Sequence, residues 1–268
     1  MKYRGHELSA NVSMLFTELP YPDRFAAAAR HGFTQVESWW PFPTAAPNSP
    51  ELDRFAATIA ESGTTLNALN FYGGDIAGGE RGIASRPDRQ DELAANVEAV
   101  VGIAERTGVR QFNLLYGQLD DRWSPEEQAA TAVAAIRSAA KAVAEFGGTI
   151  LLEPLSQGLN GRYPLLTADD VLDLIDGPLS DVPNLSLLFD TFHLANNGVD
   201  LLAGAEALAS RLAHVQLADT PGRGEPGSGT IPFDSILDAL KSSGYRGVVA
   251  CEYKPSTETT ASLSWVTG

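Results

Sequence analysis

Four short apolar runs in this chain each end in a side chain that carries a polar oxygen. The runs are TILLEP, LLFDTFH, AHVQLAD and VVACEYKP, and the polar residues are Glu153, Asp190, Gln216 and Glu252. Apolar runs of this length, rich in Val, Leu and Ile, are typical of buried strands. If the four strands are parallel neighbours, these side chains meet at one edge of the sheet.

Three carboxylates at one edge repel one another and lose hydration unless a positive charge lies between them. A divalent cation is the simplest such charge. Ligands that are all oxygen, with no cysteine, favour a hard ion such as Mg²⁺ or Mn²⁺ over structural zinc. Each residue taken alone could be an ordinary polar strand end. Four of them on consecutive strands favour a shared metal site formed by Glu153, Asp190, Gln216 and Glu252.

Two histidines lie close to these residues in the sequence. His193 follows Asp190 by three positions, where it either donates a hydrogen bond to a substrate oxygen or caps and packs the loop. We favour the substrate role, because imidazole suits an oxyanion or carboxylate neighbour. His214 lies two positions before Gln216, deeper in its strand, and is expected to be a core histidine with its polar atoms satisfied.

Loops after other apolar runs add two arginines and an aromatic cluster. GGDIAGGERG carries Arg81 and PGRGEPGSG carries Arg223, and neither loop has the GK[ST] of a P-loop. Both arginines are candidates to clamp an anionic substrate, although a plain flexible loop is the alternative. The WWPFP stretch could wall a pocket, pack in the core or form a contact in a homo-oligomer.

The elements that must position these residues alternate along the chain. We predict eight strands, which lie near residues 8–13, 35–39, 65–70, 111–115, 149–153, 185–190, 212–217 and 247–252. Alanine-rich segments with helical periodicity separate them, as in βα units around a parallel sheet. Eight such units close most economically into an α/β (β/α)8 TIM barrel, a single domain over residues 1–268. Active sites of this fold lie at the carboxyl ends of the strands.

Helix boundaries follow from capping residues. The predicted helices include residues 22–31, 49–62, 86–107, 124–146 and 233–243. The SPEE stretch at 124–127 offers an N-cap serine with proline at the first helical position. Gly32, Gly63, Gly108 and Gly244 lie where helix C-caps belong.

Composition limits the partners. Nineteen basic residues against 34 acidic ones give a net charge of −15, which disfavours nucleic acid and anionic membrane surfaces. No apolar stretch is long enough to predict a membrane span. Cys251 is the single cysteine, which suits a reducing cytoplasm. A small molecule is therefore the expected partner.

Longer motifs resemble those of the hydroxypyruvate isomerase family, within the xylose-isomerase-like TIM barrels. The resemblance runs nearly end to end, through ANVSMLFTELP, GDIAGGERG, LLEPLS, DTFH, HVQLADTPGRGEPG and CEYKP. It implies that Glu153 and Glu252 are the catalytic acid/base pair and that the four oxygen-bearing residues surround a divalent metal. The loop that often reads RHEPG in that family, with a later GEIN, has Gly224 and Thr230 here in place of His and Glu.

The resemblance implies an aldose–ketose isomerisation of hydroxypyruvate to 2-hydroxy-3-oxopropanoate through a cis-enediolate. Close alternatives are a 2-oxo-tetronate isomerase and a keto-sugar 3-epimerase with the same glutamate pair, and Gly224 and Thr230 leave room for them. Endonuclease-like DNA-repair barrels share the architecture, but four histidines and a charge of −15 argue against that class. A binding barrel without turnover is the remaining alternative.

Overall fold

The computed structural model describes residues 1–267 of the chain. Gly268, which the predicted domain includes, lies outside the described residues. Nine strands form one sheet in which β2 to β9 run parallel, and hydrogen bonds between β2 and β9 close it. The strands are β1 Lys2–Tyr3, β2 His6–Asn11, β3 Gln35–Ser38, β4 Thr65–Asn70, β5 Gln111–Asn113, β6 Thr149–Leu152, β7 Leu185–Asp190, β8 Leu212–Leu217 and β9 Val249–Cys251.

Helices connect the parallel strands and cover the outside of the barrel. They are α1 Tyr21–Arg30, α2 Ser49–Ser62, α3 Gln90–Thr107, α4 Pro125–Ala144, α5 Ala168–Asp176, α6 Thr191–Asn196, α7 Leu201–Leu208, α8 Phe233–Ser242, α9 Thr259–Ser262 and α10 Ser264–Thr267. None of these described helices combines the length and apolarity needed to cross a bilayer.

The predicted (β/α)8 TIM barrel of a single domain is confirmed. Its first strand begins and ends two residues earlier than predicted, and a short antiparallel strand, β1, precedes it. The helix predicted over 86–107 is divided, since Pro87–Arg89 form a 3₁₀ turn before α3. A 3₁₀ turn is a frequent form for the start of an α-helix.

Local signals set the helix ends. Ser124 caps α4 by accepting a hydrogen bond from the backbone of Glu127. Gly63 and Gly108 end α2 and α3 in the left-handed conformation, which costs glycine least because it has no Cβ. These caps determine where each helix ends and the connection to the next strand begins.

Alternation along the strands separates the barrel interior from the outer layer. Leu152 and Cys251 belong to the large apolar cluster between strands and helices. Leu151 and Ala250 are also fully buried but lie outside that cluster, as expected for residues that face the interior. The next interior position along each of these strands is a glutamate, so each charged side chain lies one interior position beyond a buried apolar one.

An irregularity in β3 and β4 affects the site. The register shifts between Val36 and Glu37, so that Asn67 of β4 has no partner in β3. Such a bulge bends the strand locally and re-aims the side chains beside it. The residue immediately after the shift, Glu37, is 2% exposed and directs its carboxylate into the barrel.

Candidate active site

One cavity opens at the carboxyl ends of the strands. It has a volume of about 370 Å³ and lies within the range of sites that enclose small molecules. Five of the predicted site residues line it: Glu153, His193, Arg223, Glu252 and Arg81. Asp190 and Gln216, which are fully buried at the ends of β7 and within β8, are not among the lining residues.

Aromatic residues form another part of the cavity lining. Trp39, Trp40 and Phe42 of the WWPFP stretch contribute to it, together with Phe71 and Tyr72 after β4. The cavity therefore combines charged residues at the strand ends with an aromatic wall. Such a wall lowers the local dielectric constant and strengthens the electrostatic interactions inside.

Glu153 follows β6 and is buried. Its Oε2 accepts a hydrogen bond of 2.6 Å from Asn113 Nδ2 at the end of β5. Burial, followed by the nearby charge of Asp190, raises the pKa of Glu153 to about 8. Without a compensating cation, this side chain therefore holds a proton at neutral pH.

Glu252 follows β9 and accepts three hydrogen bonds. Asn11 Nδ2 and Trp39 Nε1 donate to Oε1 at 2.8 and 2.6 Å, and Arg223 Nη2 donates to Oε2 at 2.6 Å. Burial raises the pKa of Glu252, while the Arg223 guanidinium acts in the opposite direction. The two glutamates thus have different surroundings, because an arginine and an indole donate to Glu252 in addition to an amide, whereas Glu153 accepts from an amide.

Asp190 ends β7 and also begins α6. Its Oδ1 accepts a hydrogen bond of 3.0 Å from the His193 backbone as the N-cap of that helix. Its Oδ2 is buried and has no hydrogen-bond partner among the described residues, and Arg223 Nη2 lies 3.7 Å away. One oxygen is therefore used for the fold and the other remains for a cation.

The ring of His193 has a defined hydrogen-bonding pattern. Its Nδ1 accepts from the backbone nitrogen of Ser156 at 3.0 Å, so the hydrogen of the neutral ring is on Nε2. That Nε2 lies 3.8 Å from Glu153 Oε1. Burial lowers the pKa of His193 to about 4. The ring is neutral at pH 7 and presents a donor toward the cavity.

Gln216 lies opposite Asp190 in the register of β7 and β8. Its Nε2 donates to Glu37 Oε1 at 2.9 Å, and its Oε1 is buried without a hydrogen-bond partner in residues 1–267. His214 is fully buried, as predicted, and its Nε2 donates to Glu37 Oε2. Its Nδ1 has no partner there, so the expected full satisfaction of this ring is wrong for one nitrogen.

The side chains at this position offer ligand atoms that suit a divalent cation. Glu153, Asp190 and His193 each bring one possible ligand atom into a group whose atoms all lie within 4.8 Å of one another. The hydrogen on Nε2 makes His193 a donor there, whereas Asp190 Oδ2 and Gln216 Oε1 are buried acceptors without donors. Unpaired buried acceptors beside carboxylates are what a hard cation requires.

Arg223 is the cation nearest to the carboxylates among the described residues. Besides its bond to Glu252, the guanidinium stacks over the Phe192 ring at 5.4 Å. The residue has φ 60° in the loop after β8, and its carbonyl accepts from the Lys254 backbone at 2.7 Å. Its position between Glu252 and Asp190 places a positive charge beside two of the buried carboxylates, and the residue also lines the cavity.

A buried aspartate holds the loop that carries Arg223. Asp219 accepts backbone hydrogen bonds from Thr220 and Ile231 at Oδ1, and from Gly227 and Gly229 at Oδ2. These four bonds give backbone N–H groups of the loop the acceptors that a neighbouring strand would supply in a sheet. The glycine-rich sequence is therefore an ordered loop, in contrast to the alternative of a plain flexible one.

Arg81 enters the cavity from the loop after β4. Its Nε donates to Asn160 Oδ1 at 2.9 Å, and its Nη1 donates to the carbonyls of Ile76 and Glu80. Burial lowers the pKa of Arg81, and the positive charge of Arg223 acts in the same direction. Arg81 and Arg223 therefore both bring positive charge to a cavity that two buried glutamates also line.

Comparison with known proteins places the chain in a family. Residues 25–267 match the family model described as xylose isomerase-like TIM barrel. The chain belongs to this family. Among solved structures, the AP endonuclease of family 2 from Brucella melitensis superimposes on this xylose isomerase-like barrel with a TM-score of 0.89 at 29% identity, covering 98% of both chains. D-psicose 3-epimerase from Clostridium cellulolyticum H10, at 21% identity and a TM-score of 0.74, covers 97% of this chain and 91% of its own and shows the same fold.

Curated relatives of this xylose isomerase-like barrel are isomerases. A putative hydroxypyruvate isomerase from Streptomyces coelicolor is 39% identical over 99% of this chain and 97% of its own length. The hydroxypyruvate isomerase of Escherichia coli is 34% identical, over 96% and 97%. The 2-oxo-tetronate isomerase of Haemophilus influenzae is 32% identical, over 97% of both. The predicted resemblance to the hydroxypyruvate isomerase family is confirmed, and the protein is an isomerase.

Several side chains of the site were not predicted from the sequence. Glu37, Asn11 and Asn113 end strands β3, β2 and β5 or lie close to those ends, and Trp39 donates to Glu252. Glu37, in TQVESWW, shows the same pattern as the four predicted residues, a polar side chain at the end of a short strand. Reading all eight strand ends in this way would have found Glu37 and both asparagines.

We expect Asp219→Asn to loosen the loop after β8, because one carboxylate oxygen that accepts two backbone bonds becomes a donor. Buried donors that lose their acceptors cost about 1–3 kcal/mol, so tryptic cleavage after Arg223 should accelerate about tenfold. Mass spectrometry of timed digests measures the rate. Asp238→Asn, at an exposed aspartate paired with Arg4, is the control. An unchanged cleavage rate in Asp219→Asn would contradict the structural role of this carboxylate.

The pKa of Glu153 predicts how stability depends on pH in metal-free protein. Between about pH 6.5 and 8 the folded state keeps a proton that the unfolded chain, with its ordinary pKa of 4.5, has released, so stability falls as pH rises. His193 acts in the opposite direction, but mainly below pH 6.5, where the unfolded ring gains a proton. Thermal melts in the presence of a chelator should show a smaller decrease in Tm between pH 6.5 and pH 8 for Glu153→Gln than for the wild type. Glu105→Gln, at an exposed glutamate, should show the same decrease in Tm as the wild type. If Glu153→Gln also showed the decrease of the wild type, the raised pKa assigned to Glu153 would be contradicted.

Proposed function

We propose that the protein isomerises a small hydroxy-oxo acid, with hydroxypyruvate converted to 2-hydroxy-3-oxopropanoate. The observation that carries the proposal is that Glu153 and Glu252 line one cavity, are both buried and have different hydrogen-bond partners. Two carboxylates in unequal surroundings can hold different protonation states, as a general acid and a general base require. The names of the curated relatives support the same reaction class.

In the proposed reaction, one glutamate removes a proton from the hydroxymethyl carbon next to the carbonyl. The substrate becomes a cis-enediolate, and the other glutamate returns a proton to the former carbonyl carbon. The former carbonyl oxygen gains a hydrogen and the former hydroxyl oxygen loses one, so the carbonyl group moves by one carbon. Placement after two strands that are not neighbours, β6 and β9, gives Glu153 and Glu252 separate approaches to the substrate. Such acid/base steps typically accelerate a reaction about 10²- to 10⁴-fold.

Neutral His193 is suited to assist charge development on the substrate. Its Nε2–H is directed to the cavity by the Ser156 backbone bond on the opposite nitrogen. A neutral imidazole donates to an oxyanion without attracting the carboxylates as a full cation would. We propose that His193 binds a substrate oxygen in this way.

Arg223 and Arg81 are the proposed anchors for the substrate carboxylate. Both line the cavity, in a protein whose formal charge is −15. An anion that approaches this protein gains from a local positive potential, which the two guanidinium groups supply. Their position favours an anionic acid over a neutral sugar.

The residues that would hold Mg²⁺ or Mn²⁺ are Glu153, Asp190, Gln216 and Glu252. The buried acceptors Asp190 Oδ2 and Gln216 Oε1, which lack donors in the described chain, support the inclusion of these two residues, and the closeness of Glu153 to Asp190 supports the inclusion of Glu153. A bound divalent cation supplies Lewis-acid stabilisation of negative charge on substrate oxygens. We propose a cytoplasmic enzyme, in line with the single, buried Cys251.

A four-carbon 2-oxo acid is the second candidate substrate. The cavity of about 370 Å³ extends beyond the glutamates to Trp40, Phe42 and Tyr72, and this leaves more room than the seven non-hydrogen atoms of hydroxypyruvate require. The name of the Haemophilus influenzae relative, 2-oxo-tetronate isomerase, agrees with this option. The epimerase alternative has support from fold similarity alone, since that structure is 21% identical.

The two substrates can be compared directly by NMR in D₂O. Metal-replete protein is incubated with hydroxypyruvate, 2-oxo-tetronate or a ketohexose, and deuterium incorporation and product signals are followed. We expect deuterium on the carbons that exchange protons and formation of the aldehyde or ketone isomer from one of the two acids. Turnover of the ketohexose alone would favour an epimerase, and no exchange with any of the three would contradict the proposed function.

Glu252→Gln should abolish turnover while preserving the fold. The amide cannot take or give the required proton, so kcat should fall by about 10²- to 10⁴-fold or more. Circular dichroism verifies the fold, and the NMR assay gives the rate. The matched control is Glu258→Gln, at an exposed glutamate six residues further along the chain. Turnover within a few-fold of the wild type in Glu252→Gln would refute the assignment.

A further inference from the structure

Glu37 is a buried carboxylate at the end of β3 that no step of the proposed reaction uses. It accepts hydrogen bonds from three side chains on two sides of the barrel. Asn11 Nδ2 and Gln216 Nε2 donate to Oε1 at 2.8 and 2.9 Å, and His214 Nε2 donates to Oε2. Gln216 and His214 lie on β8, across the barrel interior from β3. Glu37 therefore links opposite walls of the barrel just below the cavity.

The bond from Gln216 determines which end of its amide faces the carboxylates. A carboxylate only accepts hydrogen bonds, so the amide must present its NH₂ to Glu37 and its oxygen away from it. That oxygen, Oε1, is buried without a partner in the part of the chain that the structure describes. Asp190 lies opposite Gln216 in the register of the strands and has an unpartnered oxygen of its own.

We propose that Glu37 is a positioning residue that holds the amide oxygen of Gln216 toward the metal-binding carboxylates. The inference rests on the proposed function, because it concerns the affinity of that metal site. Amide oxygens bind Mg²⁺ and Mn²⁺, whereas an amide NH₂ is a donor and does not. If the amide were free to rotate, its NH₂ could turn toward Asp190 Oδ2, which accepts no hydrogen bond. Glu37 prevents this exchange by holding the NH₂ on the other side.

The second role that Glu37 could have, holding Glu252, is shared with other residues. Asn11 Nδ2 donates to both Glu37 Oε1 and Glu252 Oε1, each at 2.8 Å. Glu252 also accepts from Trp39 and Arg223 at 2.6 Å each. Its position is therefore retained without Glu37. Gln216 has no such reserve, since Glu37 is its one hydrogen-bond acceptor recorded in the described residues.

A double-mutant cycle on Mn²⁺ affinity tests the proposal. The four proteins are the wild type, Glu37→Ala, Gln216→Ala and the double variant, and Mn²⁺ itself is the probe in calorimetric titration. Removal of a side chain that orients a metal ligand typically costs about 10- to 100-fold in affinity. We expect Glu37→Ala to lose this much in the wild-type background and less than about threefold in the Gln216→Ala background, because residues that act through one another are not additive.

Two results would overturn the proposal. Equal losses in both backgrounds would show that Glu37 acts by its charge and not through Gln216. No loss in either would show that it has no effect on the site. If the wild type itself does not bind Mn²⁺, the metal part of the proposed function fails together with this inference; if it does bind, the two results above concern Glu37 alone.

Fold damage is separated from positioning by two further proteins. If Glu37→Ala does not fold, Glu37→Leu replaces it in the cycle, since it fills the space of the side chain but accepts no hydrogen bond; we then expect the same loss, which again disappears with Gln216→Ala, and an unchanged affinity overturns the proposal. Ser9→Ala is the matched control: Ser9 lies on β2, next to β3, and its buried hydroxyl donates to Asn67 of β4. It should bind Mn²⁺ like the wild type.

Discussion

The structure depends on the compensation of negative charge buried at one end of the barrel. Four carboxylates converge there: Glu37, Glu153, Asp190 and Glu252. Isolated buried carboxylates are costly, so each must be protonated, paired or hydrogen-bonded. The barrel uses all three means, through a raised pKa, an arginine and the amides of strand-end asparagines. The oxygens that remain unpaired include those of Asp190 and Gln216, where a cation would complete the compensation.

The scaffold separates rigid from adjustable parts of the site. The carboxylates and amides lie at or immediately after strand ends, where the closed sheet fixes their backbone. The cation among them, Arg223, comes from a loop that has no strand neighbour and is held by backbone bonds to Asp219. Acceptor positions are thus set by the barrel, and the positive charge is placed by a loop with its own internal order. This division agrees with a fold in which loops vary while the strand ends remain.

Burial also sets the character of the two sides of the cavity. The glutamate side is polar and contains side chains whose protonation is shifted by desolvation, as for Glu153 and His193. The aromatic side, with Trp40 and Phe42, adds apolar surface and excludes water. Low local polarity strengthens every interaction between the charged residues and a bound acid. The same property makes the protonation states of the site sensitive to any added positive charge.

The sequence by itself determined the barrel and most of the strand-end residues of the site, because alternation and a polar residue at the end of an apolar run are local patterns. It also determined that Leu151 and Leu152 face opposite sides of the sheet. Only the tertiary structure decided that Gln216 bonds to Glu37, 179 residues away, and that Arg223 contacts Glu252. Hydrogen bonds between side chains so far apart leave no periodic pattern in the chain. They exist because closure of the barrel brings strands that are distant in sequence within reach of one another.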